Sequence, residues 1–319
     1  MHFHPPFARW LRAALLLPLF LGGGFEITPA QQRPAASSAA ARESVIFAVT
    51  RRGDALFEFE PITIYWRGTF AASITGESST AELTRFAGNY YRAGQRYRLI
   101  WGGAEAGTVV AKQSQRESDC AKAAATADVQ TTVQLGGNRM ALATNSSLPG
   151  LAKSSRRAPT DAERAQVKSQ VERIFREKGV PAGALDKLQT INLTATDLNK
   201  DGVAELIGTY LIRRGETAIS IDTLFVLAEP TAAGEVKIGV ARHAQMKGED
   251  FSDPESLESV GQSAFQTEVL LDQFDVDDDG TGEVFTISYS FEGTNYTIYK
   301  KGAQGWSAVR EFYNYRCAY

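Results

Sequence analysis

The sequence predicts a mainly β protein: an N-terminal all-β sandwich or barrel, one connecting helix, and two antiparallel sheets that each carry an acidic loop. Three observations support this fold class. Short runs of alternating apolar and polar residues recur along most of the chain. A clear helical period follows residue 160. An acidic motif occurs twice in the C-terminal part, at a spacing of 78 residues.

The first 30 residues have the features of a signal peptide. Arg9 and Arg12 precede the apolar run 13–21, which is too short to span a bilayer, and small residues suitable for cleavage follow. A buried helix or a membrane anchor is the alternative interpretation. We therefore expect a signal peptide at 1–30, a flexible leader at 31–43, and a secreted or periplasmic mature protein with no transmembrane segment.

Composition limits the chemistry available to such a mature chain. Of three histidines, only His243 lies beyond the predicted signal peptide, which excludes a zinc site with several imidazoles. A formal net charge of −3 argues against a nucleic-acid partner, because phosphate binding relies on a concentrated basic surface. Cys120 and Cys317 are predicted to form a disulfide, as an even pair in an exported protein usually does; two free thiols are the alternative.

An all-β domain is predicted over 44–150. Its strand patterns lie at 44–50, 55–66, 95–101, 107–113, 129–135 and 140–144, separated by glycine-rich or polar stretches. Arginines alternate with aromatic residues in 89–101, which could form a polyanion-binding platform. On a strand, however, Tyr97, Leu99 and Trp101 share one face and the arginines share the other. We therefore favour a half-buried strand.

A linker and a helix are predicted over 151–187. Thr160 and Glu163 fit a capping box, so the helix should begin there. It should run to about Lys178 and end at Gly179. Its apolar stripe consists of Val167, Val171, Ile174 and Phe175. Such a stripe usually packs on its own domain; binding of a partner is the alternative.

Residues 188–319 contain an internal repeat. The stretches that begin at Asp197 and Asp275 share the frame D-x-[DN]-x-D-G-x-x-E, and each has an apolar strand pattern on both sides. After the second copy, residues 285, 287, 289 and 291 are apolar, whereas the residues between them are polar. This period of two predicts a strand with one buried and one polar face.

The repeated frame places oxygen ligands at alternate positions, as a calcium loop requires. In the first copy the candidate ligands are Asp197, Asn199, Asp201, the carbonyl of Val203, and Glu205. In the second copy they are Asp275, Asp277, Asp279, the carbonyl of Thr281, and Glu283. We therefore expect up to two structural calcium ions. The second copy should bind more tightly, because it supplies four carboxylates against three.

Local geometry refines this prediction. Gly202 and Gly280 occupy the sharp turn and should have positive φ, whereas Lys200 and Asp278 should point outward. An EF-hand would need a glutamate at loop position twelve, where Gly208 and a threonine stand instead, and its flanks would be helical. An EF-hand is therefore excluded.

The nine-residue acidic loop between two strands resembles the calcium loops of FG-GAP and VCBS-type repeats, found in integrin-α-like β-propeller blades. The resemblance covers about residues 188–319, and both copies match the family frame position by position. It implies four-stranded blades with structural calcium. Since a closed propeller typically needs at least four blades and this chain has two acidic loops, we expect two blade-like sheets packed together and not a full propeller.

The function that these features favour is a non-catalytic, exported, calcium-binding module that binds or scaffolds an unknown protein or glycan. Two alternatives stay open: a secreted, carboxylate-based hydrolase acting on glycans, and an envelope structural protein that assembles with itself. Aromatic residues near the blade hairpins are either a binding surface or core, and core is favoured. These residues are Tyr289, Tyr296, Tyr299 and Trp306.

Overall fold

The computed structural model describes residues 43–52, 56–137, 139–215, 219–231, 233–248, 260 and 265–316. The predicted signal peptide, the leader up to residue 42, and Cys317 lie outside the described residues. The disulfide between Cys120 and Cys317 therefore stays a prediction. So do the predicted domain boundaries near residues 150 and 187.

The N-terminal part forms a closed β-barrel. Its strands are β1 (Ser44–Arg52), β2 (Leu56–Trp66), β3 (Thr69–Ala71), β4 (Arg96–Trp101), β5 (Ala104–Ser114), β6 (Ala125–Thr131) and β7 (Ala141–Thr144). Six of them pair in the order β1-β7-β4-β5-β6-β2, and β2 pairs again with β1. β3 extends the sheet at the end of β2. Of the predicted alternatives, sandwich or barrel, the barrel is the one observed, and β6 begins four residues before its predicted position.

Helix α1 (Thr80–Tyr90) packs one face, with Leu83, Phe86 and Ala87 buried, against the barrel core, and the sequence prediction missed it. Ser79 and Glu82 form a capping box at its start. Phe86 of α1 packs with the inward-facing aromatic rings of the barrel, Phe47 and Phe59 among them. Tyr97 and Leu99 lie in the same buried cluster. The prediction that 95–101 is a core strand is therefore confirmed.

Helix α2 (Asp161–Glu177) is the predicted connecting helix. The capping box of Thr160 and Glu163 forms with both hydrogen bonds, and the chain leaves the helix at Gly179 with φ of 83°. A short 3₁₀ helix (Ala182–Lys187) follows. All four residues of the predicted apolar stripe are buried. They pack within the protein, as expected for a helix that covers its own domain.

The rest of the chain forms two four-stranded antiparallel sheets in which neighbours in sequence are neighbours in space. The first, which we name the middle sheet, contains β8 (Gln189–Thr196), β9 (Glu205–Arg214), β10 (Ser220–Pro230) and β11 (Val236–Lys247). The second, the C-terminal sheet, contains β12 (Val269–Phe274), β13 (Glu283–Tyr289), β14 (Gly293–Gly302) and β15 (Gly305–Tyr315). The prediction of two antiparallel sheets is confirmed.

These parts pack as layers, with the C-terminal sheet between the barrel and the middle sheet. One face of the C-terminal sheet packs on the outer wall of the barrel; it includes Val269, Leu271, Phe285, Ile287, Tyr296 and Ile298. The opposite face packs on the middle sheet through Leu270, Val284, Tyr299 and Trp306. Helix α2 covers the far face of the middle sheet. Tyr296, Tyr299 and Trp306 are therefore core residues, as favoured.

Candidate functional site

The two acidic loops connect the first and second strands of their sheets. Loop one, 197–204, joins β8 to β9, and loop two, 275–282, joins β12 to β13. The two loops lie side by side, because the backbone N–H of Gly282 donates to the carbonyl oxygen of Leu198 at 2.7 Å. The two predicted metal sites are therefore adjacent, which the spacing of 78 residues did not indicate.

Both loops follow the same backbone path. Gly202 and Gly280 have φ of 86° and 94°, so the predicted positive φ is confirmed at both. Two residues earlier, Lys200 and Asp278 also occupy the left-handed region, with φ of 63° and 61°. The two loops therefore have positive φ at the same two frame positions.

The last carboxylate of each frame closes its loop through a backbone hydrogen bond. The N–H of Leu198 donates to Glu205 Oε2 at 2.8 Å, and the N–H of Val276 donates to Glu283 Oε2 at 2.9 Å. Both glutamates are almost fully buried, at 3% and 1% exposure. In each glutamate only Oε2 accepts this bond, so Oε1 is not used in closing the loop.

The aspartates of the two loops are also held by equivalent bonds. The first aspartate accepts from the turn glycine: Gly202 N–H to Asp197 Oδ2 at 2.9 Å, and Gly280 N–H to Asp275 Oδ2 at 3.1 Å. The third ligand residue of each frame accepts from the backbone N–H two residues later. Val203 N–H donates to Asp201 Oδ1 at 2.7 Å, and Thr281 N–H donates to Asp279 Oδ1 at 2.9 Å. These Asx-type bonds fix the side chains before any ligand binds.

Loop two brings together carboxylates that could hold a metal ion. Asp275, Asp277 and Glu283 each offer an oxygen, and these atoms lie within 4.8 Å of one another. Two oxygens bound to one calcium ion at roughly 2.3 to 2.6 Å can be at most about 5 Å apart. The three oxygens therefore fit a common centre. In the part of the chain that the structure describes, this is the only group of three such residues.

An ammonium group, which the sequence analysis did not foresee, contacts the same carboxylates. Lys300 Nζ lies 2.7 Å from Asp277 Oδ2, 2.7 Å from Asp279 Oδ2 and 2.6 Å from Glu283 Oε1. Val284 pairs with Tyr299, so the next residue on β14 stands opposite Glu283. Lys300 is thus a resident cation of loop two.

A second lysine reaches loop two from loop one. Lys200 Nζ lies 2.8 Å from Asp275 Oδ2. Lys200 is exposed, as expected for a side chain that points away from loop one, but its ammonium group reaches the neighbouring loop. Asp278, at the equivalent position of loop two, is exposed as expected.

Loop one has the same frame but a different surrounding. Asn199 Nδ2 donates to Asp201 Oδ2 at 3.0 Å, so these two candidate ligands bond each other. The position opposite Glu205 on the next strand is Glu229, and it pairs with Lys301 of the C-terminal sheet. The side chain of Val203 is 51% exposed, which fits a role limited to its carbonyl oxygen.

Each loop also contains a buried carboxylate oxygen without a hydrogen-bond partner among the described residues. These atoms are Asp197 Oδ1 in loop one and Asp277 Oδ1 in loop two. Both belong to predicted ligands. Since a buried unpaired carboxylate oxygen costs free energy, the residues present fit a metal ion that would supply the missing partner.

The electrostatics of the loops favour a bound cation. Burial raises the pKa of Glu205 to about 7 and that of Glu283 to about 7, although backbone N–H groups and nearby lysines act to lower both. Burial also acts to lower the pKa of Lys300, but its bonds to three carboxylates raise it. The nearby lysines therefore do not fully compensate for the cost of burying the two glutamate carboxylates.

His243 takes part in a different, structural cluster. Its Nε2 lies 3.0 Å from Oδ1 of Asp222, which is fully buried and is also held by Arg214. The imidazole ring stands edge-on to Phe175 of α2. This position, between helix and sheet, is the kind expected for a structural histidine.

Comparison with known proteins found no match: no family model, curated protein or solved structure is similar enough to be counted. None of the helices in the described residues has the length and apolar character that a membrane span requires.

Proposed function

We propose that this protein is an exported, calcium-binding module, related to FG-GAP and VCBS-type repeats, whose role is to bind or scaffold another molecule and not to catalyse a reaction. Structural calcium at the two loops would stiffen the ends of the middle and C-terminal sheets. The observation that carries the proposal is the convergence of Asp275, Asp277 and Glu283 within 4.8 Å.

The charge of loop two supports a divalent ion. Its four ligand carboxylates contribute a formal charge of −4, and Lys200 and Lys300 contribute +2, which leaves −2. Hard carboxylate oxygens on a preformed loop suit calcium, which accepts six to eight oxygen ligands in flexible geometry. The chain's own residues would hold the ion, and the ion would supply charge neutralisation and rigidity.

Calcium is expected to raise the stability of the protein and to bind loop two more tightly than loop one. At a hundredfold excess over the dissociation constant, each occupied site should add about 2.7 kcal/mol to the free energy of unfolding. Thermal unfolding with calcium and with chelator measures this, and calorimetric titration gives affinities, expected at about 10⁻⁴ to 10⁻³ M.

Asp279→Ala and Asp201→Ala are matched variants at the same frame position. We expect the larger loss of affinity for Asp279→Ala, because it removes one of four carboxylates at the stronger site. Identical melting curves with calcium and chelator would refute calcium binding. A larger loss for Asp201→Ala would refute the order of affinities.

Lys300→Met is expected to tighten calcium binding at loop two by at least about tenfold. The substitution removes a positive charge that lies 2.6 to 2.7 Å from three ligand carboxylates and that a calcium ion must displace or tolerate. Without calcium, the same variant should be less stable, since buried Glu283 loses this ion pair.

Lys301→Met is the control for Lys300→Met. It is the adjacent lysine on the same strand, but it pairs with Glu229 of the middle sheet. Calorimetric titration of both variants shows whether the change in calcium affinity is specific to Lys300. Unchanged or weaker binding at loop two in Lys300→Met would show that Lys300 is not a competing cation.

A further inference from the structure

A polar cleft lies where the middle sheet and the C-terminal sheet separate, far along the strands from the acidic loops. Its volume is about 370 Å³, within the range of small-molecule sites. Arg242 of β11 forms one wall, and Glu268, which precedes β12, lies at its deep end. The polar face predicted for 285–291 is part of its floor.

The floor consists of two rows of side chains across β13, β14 and β15. In the first row Thr286 pairs with Thr297, which pairs with Glu311; in the second, Ser288 pairs with Asn295, which pairs with Tyr313. The side chains of the first row all make hydrogen bonds within the protein. The second row differs, because the side chains of Ser288 and Asn295 have no hydrogen-bond partner among the described residues.

Arg242 holds the first row in place. Its Nη1 donates to Glu311 Oε1 at 2.6 Å and to Thr297 Oγ1 at 3.2 Å, and its Nε lies 3.5 Å from Glu268 Oε2. Glu268 Oε1 in turn accepts from the hydroxyls of Thr286 and Tyr299, at 2.6 and 2.7 Å. This network fixes the shape of the cleft without using the second row.

The second row ends in an aromatic ring that is open to solvent. Tyr313 is 41% exposed, one of few large apolar side chains in the described residues to be so exposed. The row therefore offers a hydroxyl, an amide that both donates and accepts, and a ring face, side by side. We propose that this cleft binds a neutral sugar ring, with its hydroxyls on Ser288 and Asn295 and its apolar face on Tyr313.

The charge of the cleft selects against acidic ligands. One guanidinium, Arg242, faces two carboxylates, Glu268 and Glu311, so an additional anion would meet net repulsion. Arg242 pairs with both carboxylates and so fixes their positions in the cleft.

This inference rests on the proposed function of a binding module and names its ligand class. The test is saturation-transfer NMR on the calcium-loaded protein with glucose, galactose, mannose, N-acetylglucosamine and their neutral disaccharides, with glucuronate as the charged comparison. We expect millimolar binding of at least one neutral sugar and no binding of glucuronate. A comparison of monosaccharides with disaccharides shows whether the cleft prefers a free sugar or the terminal sugar of a glycan chain.

Tyr313→Ala and Asn295→Ala should each weaken binding, the former at least tenfold. Val309→Ala is the control, because Val309 is exposed on the same strand but outside the cleft. Asn295 is exposed and makes no internal hydrogen bond among the described residues, so its variant should fold normally. The inference is overturned if no neutral sugar binds, if glucuronate binds more tightly, or if both variants bind like the wild type. Calcium titration of the same samples shows separately whether the metal proposal stands.

Discussion

Arg316→Met is expected to lower the free energy of unfolding by about 3 to 5 kcal/mol, the usual cost of breaking a buried ion pair from one side. The Arg316 guanidinium, 3% exposed, lies 3.2 Å from Glu58 Oε2 and 2.9 Å from Glu60 Oε2. Both glutamates project from β2 of the barrel. The substitution would leave two buried carboxylates without their guanidinium partner.

Other groups can compensate for the loss of Arg316 only in part. Asn314 Nδ2 donates to Glu60 Oε2 at 2.6 Å, and Tyr296 also donates to Glu60. Gln115 donates to Glu58 at 2.9 Å. These neutral donors satisfy hydrogen bonds, but they do not neutralise charge. The ion pair between β2 and the residue after β15 thus joins barrel and C-terminal sheet.

Urea unfolding followed by circular dichroism measures the effect of Arg316→Met. Arg173→Met is the control, since Arg173 on α2 is half-exposed and its pair with Glu177 is a surface ion pair, expected to contribute less than about 1 kcal/mol. Equal stabilities of Arg316→Met and Arg173→Met would contradict a structural role for the buried pair.

Asp272→Ala is expected to cost at least about 3 kcal/mol, because it leaves several buried groups without a partner. The Asp272 carboxylate accepts from the N–H of Gly102 at 2.9 and 3.0 Å and from the N–H of Gln273 at 2.8 Å. Arg156, itself stacked on Trp101, lies 3.6 Å away. Barrel, linker and C-terminal sheet meet at this one carboxylate.

The effect of Asp272→Ala should depend on pH. Burial raises the pKa of Asp272 to about 6, although Arg156 and backbone N–H groups act to lower it. Because the folded-state pKa exceeds the unfolded value of about 4, this group stabilises the fold fully below pH 4 and loses that contribution as the pH rises through 6. The difference between wild type and variant should therefore be larger at pH 4 than at pH 7.

Urea unfolding at both pH values checks the Asp272 prediction. Asp128→Ala is the control, as Asp128 is an exposed aspartate with a surface lysine partner. Its loss should stay below about 1 kcal/mol, as for a surface ion pair. A pH-independent loss for Asp272→Ala would contradict the raised pKa of the buried carboxyl.

The features that could be predicted from the sequence are those decided by residues close together in the chain. The path of each acidic loop follows from Gly202 or Gly280 and from aspartates two to five residues away, so the frame was sufficient. The same is true of α2, whose capping box spans three residues. Helix α1 carried an equivalent signal, Ser79 with Glu82, that was overlooked among the polar residues before it.

What could not be predicted depends on residues far apart in sequence. Lys300 reaches Glu283 from the neighbouring strand, 17 residues away in sequence, and Lys200 reaches Asp275 across 75 residues, so no local pattern indicated that ammonium groups would share the candidate metal site. The cleft likewise needs Arg242 from one sheet and Glu268 from the other. Closure of the barrel depends on β1 pairing with both β2 and β7, a choice that strand patterns leave open.

The position of the C-terminal sheet has a consequence for how the chain matures. This sheet is synthesised after the barrel and the middle sheet, yet it is the layer that separates them. Until β13 and β14 have been made, an apolar wall of the barrel and an apolar face of the middle sheet have no native surface to cover them. Nascent chains arrested before that point would therefore expose two aggregation-prone apolar surfaces at once. Chaperone protection would matter most during the last stage of synthesis.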